Sequence, residues 1–442
     1  MEQQSVHKKY HTITFGCQMN ENDSERLAGQ LRSLGYESTD HKEQADLILI
    51  NTCCVRESAE KKIYGKIGEM KRLKQENPNL IIGIAGCMAQ KDKDKLFKKA
   101  PHIDLVMGTH NTHQLTELLR ELESSQQKVL AVWDQAERLV PDVPTIRKST
   151  ISAWVPIMYG CNNFCTYCIV PYVRGRERSR PVEDIVNEIK QLGADGFKEI
   201  TLLGQNVNSY GKDSGDTDFA GLLQEIDNID TIERIRYMTS HPRNMSEQVV
   251  KVVADSKRIC HQFHLPIQSG SDEILRRMNR GYTTASYRQL VETIRQKMPH
   301  ASLTTDIIVG FPGETEELFR ETLEFLQEIR FDMAYTFLYS LRSGTPAATM
   351  ADQIPLPVKK ERLKQLMDIQ NGISLEINKE LQGQTVEVLV EGASKNDAHR
   401  LMGRTETNKI VIWDQEGTEK IGDLRQVRIM QAQTWLLKGQ LV

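Results

Sequence analysis

Tyr159-Gly160-Cys161-Asn162-Asn163-Phe164-Cys165-Thr166-Tyr167-Cys168 is the stretch on which the rest of the chain is organised. Its cysteines are spaced CxxxCxxC. Three thiolates in one short loop can hold three irons of a 4Fe-4S cluster while the fourth iron keeps no protein ligand. An open iron can bind a cofactor or substrate. Zinc is the competing metal, but structural zinc asks for four ligands, usually as two Cys/His pairs, and no second pair with such spacing follows.

Outward from this loop, six strand-like runs appear, each followed by a helix: 151–158, 199–203, 234–239, 261–267, 302–309 and 333–339. Six βα units predict a partial β/α barrel, with Cys161 at the carboxyl end of the first strand, where barrel active sites lie. Other strand ends carry Gly204-Gln205-Asn206, Gln268-Ser269-Gly270-Ser271 and Gly310-Phe311-Pro312-Gly313-Glu314. These are ligand candidates, although the same residues can simply turn the chain or cap the next helix. No GxGxxG opens a helix, so a Rossmann-type cofactor site has no support. Just past Cys168, the run from Pro171 to Arg180 holds four arginines against one glutamate. It is either a solvated loop or a phosphate grip, with Arg174 and Arg176 as the candidates.

Upstream, residues 1–145 alternate short apolar runs with amphipathic stretches: 12–15 then 23–34, 46–50 then 56–73, 80–85 then a helix from 92, and 103–107 then 114–122. The pattern predicts an open parallel sheet, α/β in class, whose ligands bind at the carboxyl strand ends. Cys17, Cys53 and Cys87 follow the first three strands. One such cysteine is by default a small buried hydrophobe; three in equivalent positions point to a second metal centre, again with three protein ligands. Cys54 competes with Cys53, but neighbours leaving a strand point opposite ways. Cys53 is therefore favoured, and Cys54 and Cys260 are read as structural. Pro141 and Pro144 mark a connection to the central domain, 146–375. Beyond it, in 376–442, an amphipathic helix over 358–381 leads to five short strands with glycine turns, a small β-barrel. From Gln384 onward eight basic residues balance eight acidic ones, so charge alone shows no RNA site there.

At 442 residues, with 39% hydrophobic and 26% charged residues, the chain has room for two or three ordinary cores. A net charge of -3 argues against wholesale electrostatic grip on nucleic acid and leaves RNA contact to local basic patches. Residues 1–11 are polar, and no apolar run approaches the ~20 residues of a membrane span. The expected location is the cytoplasm, where eight cysteines are metal or redox groups rather than a disulfide framework.

CxxxCxxC with an aromatic, Tyr167, before the last cysteine resembles the radical S-adenosylmethionine (SAM) superfamily. Gly16-Cys17-Gln18-Met19-Asn20, Asn51-Thr52-Cys53 and Gly86-Cys87-Met88-Ala89-Gln90 resemble the N-terminal domain of the methylthiotransferases, and the last segment resembles the TRAM domain. The resemblance covers essentially the whole chain. It implies a SAM-cleaving 4Fe-4S cluster on Cys161, Cys165 and Cys168 and an auxiliary 4Fe-4S cluster on Cys17, Cys53 and Cys87. It also implies two SAM per turnover, with Tyr167 packed near SAM, Gln205 and Asn206 at its methionine end, Gln268 at its ribose and Gly310 at its adenine. Gly204-Gln205-Asn206 departs from the commoner Gly-Gly-Glu, which puts the contact at that strand end in doubt. Arg400, Arg404 and Lys409 would touch tRNA. Gln18-Met19-Asn20 followed by Asp23-Ser24-Glu25 is most similar to the branch acting on isopentenyladenosine beside the tRNA anticodon. The other branches act on threonylcarbamoyl-adenosine in tRNA or on a ribosomal-protein aspartate. An electron donor such as flavodoxin or ferredoxin is implied, the sulfur donor is left open, and a monomer is expected. The rival from another class is a non-catalytic iron-sulfur RNA-binding protein.

Overall fold

A computed structural model describes residues 8–54, 57–134, 143–395 and 397–442. Strands β1 (Lys9–Thr14), β2 (Glu37–Ser38), β3 (Leu47–Thr52), β4 (Ile81–Gly86), β5 (Leu105–Met107) and β6 (Val129–Ala131) form one sheet in the order β2-β1-β3-β4-β5-β6, every pair parallel. All six residues of β3, Leu-Ile-Leu-Ile-Asn-Thr, are buried, because helices cover both faces and leave no polar alternation. Leu27, Leu31, Leu115 and Leu119 pack on one face; Ile63, Ile67 and Met70 pack on the other.

Three boundaries differ from expectation. The first helix begins at Gln18 rather than 23, which makes Cys17 its N-cap. The helix expected from 92 is two short helices, Cys87–Asp92 and Lys95–Lys99, so Cys87 opens a helix. Two strands join the four expected: β2, after the first helix, and β6, where the pattern weakens after Gln126. Pro141 and the expected helix start at Arg56 lie outside the described residues.

The second unit runs β7 (Ser152–Pro156), β8 (Met158–Tyr159), β9 (Arg178–Ser179), β10 (Glu199–Leu203), β11 (Arg234–Tyr237), β12 (Gln262–His264), β13 (Ser302–Val309) and β14 (Met333–Leu338). Parallel β7-β10-β11 and β12-β13-β14 are joined by the bridge Ile235–Ile259 into a six-stranded partial barrel. β8 and β9 pair antiparallel and bracket the cysteine loop.

Helix Leu356–Glu380 leads to β15 (Thr385–Ser394), β16 (Asp397–Thr405), β17 (Ile410–Asp414), β18 (Leu424–Ala432) and β19 (Leu437–Leu441), a closed barrel around Trp413. Its β16–β17 turn docks on the amino-terminal ends of the central strands. Arg234 Nη1 donates to Arg404 O at 2.6 Å, while Arg236 donates to Thr405 O at 2.8 Å and Glu406 O at 2.7 Å.

Candidate active site

The cysteine loop is held by backbone bonds at both ends: Cys161 N donates to Gly175 O (3.1 Å), Cys168 N to Cys165 O (2.9 Å) and Thr166 N to Met278 O (3.0 Å). Gly160 has φ +76°, and a Cβ there would sit 2.0 Å from Arg176 O, so only glycine admits this crossing. Asn163 Nδ2 lies 3.5 Å from Cys161 Sγ, and Asn163 Oδ1 accepts from Arg243 at 2.6 Å. Burial pushes Cys161 up to about 11 and Cys168 up to about 12. Iron must therefore displace a proton from each. No three His, Cys, Asp or Glu side chains among the described residues converge on a single-ion site; thiolates on three different irons of a cube stand farther apart than ligands of one ion.

Arg280, invisible to motif reading, completes this loop. Its guanidinium reaches Cys165 Sγ (3.3 Å), Tyr167 OH (3.4 Å) and Pro266 O (2.6 Å). Tyr167 is half-buried, and desolvation raises its phenol above the ordinary value.

At the N-terminal sheet, Cys17, Cys53 and Cys87 sit on adjacent loops after β1, β3 and β4. Gly16 (φ +132°) has room for no Cβ, since one would lie 2.8 Å from Cys53 Cβ. Cys17 caps a 16-residue helix, whose positive end favours an anionic group. Buried Asn20 ties the loops together, donating to Asn51 Oδ1 (3.2 Å) and Thr52 O (3.0 Å) and accepting from Cys17 Sγ (3.5 Å). Cys54 does not face away: its thiol hydrogen-bonds Cys87, raising Cys54 and lowering Cys87, and both pack against Ile169 and Val173. The chain leaves strand geometry after Thr52, so alternation no longer separates residues 53 and 54. All eight cysteines are free thiols.

Arg174, a phosphate candidate in the sequence, turns inward in the fold. It is 5% exposed, bonded to Asp23 Oδ2 at 2.9 Å and Asn20 Oδ1 at 3.2 Å, which leaves no face for a tRNA phosphate. Arg176 is exposed, its guanidinium 4.3 Å from the Phe164 ring centroid, and Phe164 meets the 53%-exposed Tyr172 edge-on. Lys409 is likewise not free for RNA: Nζ is held by Asp332 (2.6 Å) and Asn378 (3.1 Å) with 14% of the side chain exposed. Arg400 pairs with Asp414 and Arg404 with Glu391, both on the barrel surface and a third or more exposed.

The strand-end candidates line the mouth of the barrel. Asn206 is buried and uses its amide on His241 N (3.1 Å) and Asn244 (3.0 Å). Gln205 and Gln268 make no side-chain hydrogen bond among the described residues, and Gln268, like Thr239, is left-handed (φ 72° and 68°), strain of the kind stored at functional sites. Gly310 (φ +71°) donates its N–H to Glu314 Oε1 at 2.8 Å, and Glu314 is paired with Arg362 at 2.9 Å. Ser240 Oγ, His241 Nε2 and Ser271 Oγ, all at strand ends, are buried without a hydrogen-bond partner among the described residues. Burial and neighbouring Arg280 and Arg243 hold His241 neutral, down to about 2. Unpartnered polar atoms and three thiols at one mouth fit a polar cofactor bound beside a cluster.

Three family models match the chain: Uncharacterized protein family UPF0004 over 9–108, the Radical SAM superfamily over 155–326 and the TRAM domain over 379–442. The chain is 53% identical over 439 residues to the tRNA-2-methylthio-N(6)-dimethylallyladenosine synthase of Carboxydothermus hydrogenoformans, covering 98% of this chain and 99% of that one. It is 55% identical over 410 residues to the synthase of the same name from Pelotomaculum thermopropionicum, 92% of each chain. Among solved structures, the radical SAM methyltransferase TsrM from Kitasatospora setae, with cobalamin and a 4Fe-4S cluster bound, aligns at TM-score 0.55 and 14% identity over 78% of this chain and 77% of that one, a likeness of fold.

Proposed function

The chain belongs to the tRNA-2-methylthio-N(6)-dimethylallyladenosine synthase family, and from that premise we propose how its own residues carry the reaction. It is a radical SAM tRNA methylthiotransferase, placing a methylthio group on carbon 2 of isopentenyladenosine beside the anticodon. The observation that carries the proposal is the pair of cysteine sets at two sheet edges, joined by the short segment from Ile169 to Arg174.

Cys161, Cys165 and Cys168 hold one 4Fe-4S cluster with SAM; Cys17, Cys53 and Cys87 hold the second. When bound, the first supplies a 5'-deoxyadenosyl radical from SAM, and the second supplies the sulfur that a further SAM methylates. The chain's part is positional. Cys165 is buried, with Cys161, Cys168 and Tyr167 half-buried around it, and Arg280 fixes Cys165 against the barrel mouth. Gln205 and Gln268 offer amides for SAM, with Asn206 bracing the strand end beside them through His241 and Asn244, while Gly310, packed against Lys359, shapes the wall on the adenine side. Arg176, with Phe164 and Tyr172, presents a stacking face to unpaired bases; Arg400 and Arg404 add surface charge. An aromatic carbon–hydrogen bond offers no acidic proton, so no His/Asp pair is required. The domains divide at 145/146 and 375/376, the chain acts as a cytoplasmic monomer, and a flavodoxin or ferredoxin supplies electrons.

Nucleoside mass spectrometry on isopentenylated tRNA, incubated anoxically with reconstituted protein, SAM and a strong reductant, tests this. The expected product is 2-methylthio-isopentenyladenosine. 5'-Deoxyadenosine without that product would redirect the substrate to threonylcarbamoyl-adenosine tRNA or a ribosomal-protein aspartate, and no deoxyadenosine would leave a non-catalytic iron-sulfur protein.

A further inference from the structure

Arg174 follows Cys168 by six residues, yet its side chain belongs to the other cysteine set. Helix Val170–Val173 carries the chain from the first loop directly onto the N-terminal sheet edge. There Val173 packs with Cys54 and Cys87, and its carbonyl accepts from Thr109 Oγ1. The guanidinium that follows bonds Asp23 and Asn20, beside the Cys87 and Cys17 sulfurs, whose thiolate forms would favour its charge. Asp23 and Asn20 stand on the helix that Cys17 caps, and Asn20 also grips Asn51 and Thr52, the residues before Cys53. One buried cation is thus connected to the loops of all three cysteines.

A single carboxylate is a poor reason to bury a guanidinium, since desolvating both charges commonly outweighs their attraction. A thiolate-ligated cluster adds negative charge at the same spot, and the charge and hydrogen bonds around a cluster set its potential. We propose that Arg174 is a positioning residue for the auxiliary cluster: it draws the Cys17 and Cys87 loops together, and its charge favours the reduced, more negative cluster. The inference rests on the two-cluster proposal above.

The test uses the full chain with Cys161, Cys165 and Cys168 replaced by Ala, reconstituted anoxically, so that one site remains. If this background holds no cluster, the two-cluster proposal fails before Arg174 is touched. With the cluster present, an EPR-monitored redox titration compares Arg174→Lys, Arg174→Gln and Asp23→Asn. Arg174→Gln is expected to lower the midpoint potential, Asp23→Asn to raise it by removing a negative charge, and Arg174→Lys to stay near the parent. An unchanged potential and EPR signal in Arg174→Gln would overturn the assignment. Should Arg174→Gln fail to hold iron, Asp23→Asn decides: a raised potential supports the assignment and an unmoved one overturns it.

Discussion

Replacing Arg236 by Met should loosen the C-terminal barrel from the central one. Arg236 is 5% exposed and carries four bonds: to Glu199 Oε2 (2.7 Å), Gln262 Oε1 (3.2 Å), Glu406 O (2.7 Å) and Thr405 O (2.8 Å). Methionine keeps the apolar stem but leaves Glu199, 7% exposed, with no cation beside it and strips a donor from two carbonyls of the docked turn. Removing one partner of a buried pair costs about 3–5 kcal/mol. At 1.36 kcal/mol per tenfold, the docked state weakens by a factor of roughly 10² to 10⁴. Hydrogen exchange read by mass spectrometry on peptides spanning 400–414 should quicken by up to that factor. The double variant Arg236→Met/Glu199→Met should recover part of the loss, because it no longer strands a buried charge. Exchange within twofold of the parent in Arg236→Met would refute the assignment of docking to this guanidinium.

Other expectations follow from the same geometry. Arg176→Ala and Tyr172→Ala should weaken binding of an isopentenylated anticodon stem-loop, by up to about tenfold for a lost stacking contact, whereas Lys409→Ala should leave it unchanged in fluorescence anisotropy. Gly310→Ala places a methyl 2.3 Å from the stem of Lys359 at φ +71° and should cost about 1–3 kcal/mol, seen as a lowered Tm. His261 pairs with Glu406 at 3.0 Å across the docking interface, which raises the imidazole and lowers the carboxyl. A raised His pKa contributes stability that is full below ~6.5 and lost as pH rises through the folded value, and a lowered Glu contributes stability present above ~4.5 and lost as pH falls. The Tm gap between the parent and His261→Gln should therefore be widest between those limits and close towards pH 8.

The six βα units of the central barrel are legible because apolar and β-branched residues recur in each strand ahead of a helical stretch, even where polar residues interrupt them as in Arg234-Ile235-Arg236-Tyr237, and the cysteine loop because its spacing is local. Strands of two or three residues, β2 and β6, are too short to carry a period. Lys409 and Arg174 look like free basic residues in the sequence because their partners are remote: Asp332 lies 77 positions from Lys409 and Asp23 lies 151 from Arg174. Charge in a sequence cannot distinguish a solvated side chain from one buried against a distant carboxylate. Cys54 defeats the alternation rule because the chain turns where the strand ends, and Arg280 belongs to no recognisable pattern until the fold brings it to Cys165.

The central claim, two separate clusters on two cysteine sets, is tested most directly by counting iron in anoxically reconstituted protein. The full chain should bind about eight irons, and Cys17→Ala about four, with the remaining cluster still cleaving SAM. About four irons in the unaltered chain, or a Cys17→Ala variant that keeps all eight, would contradict it.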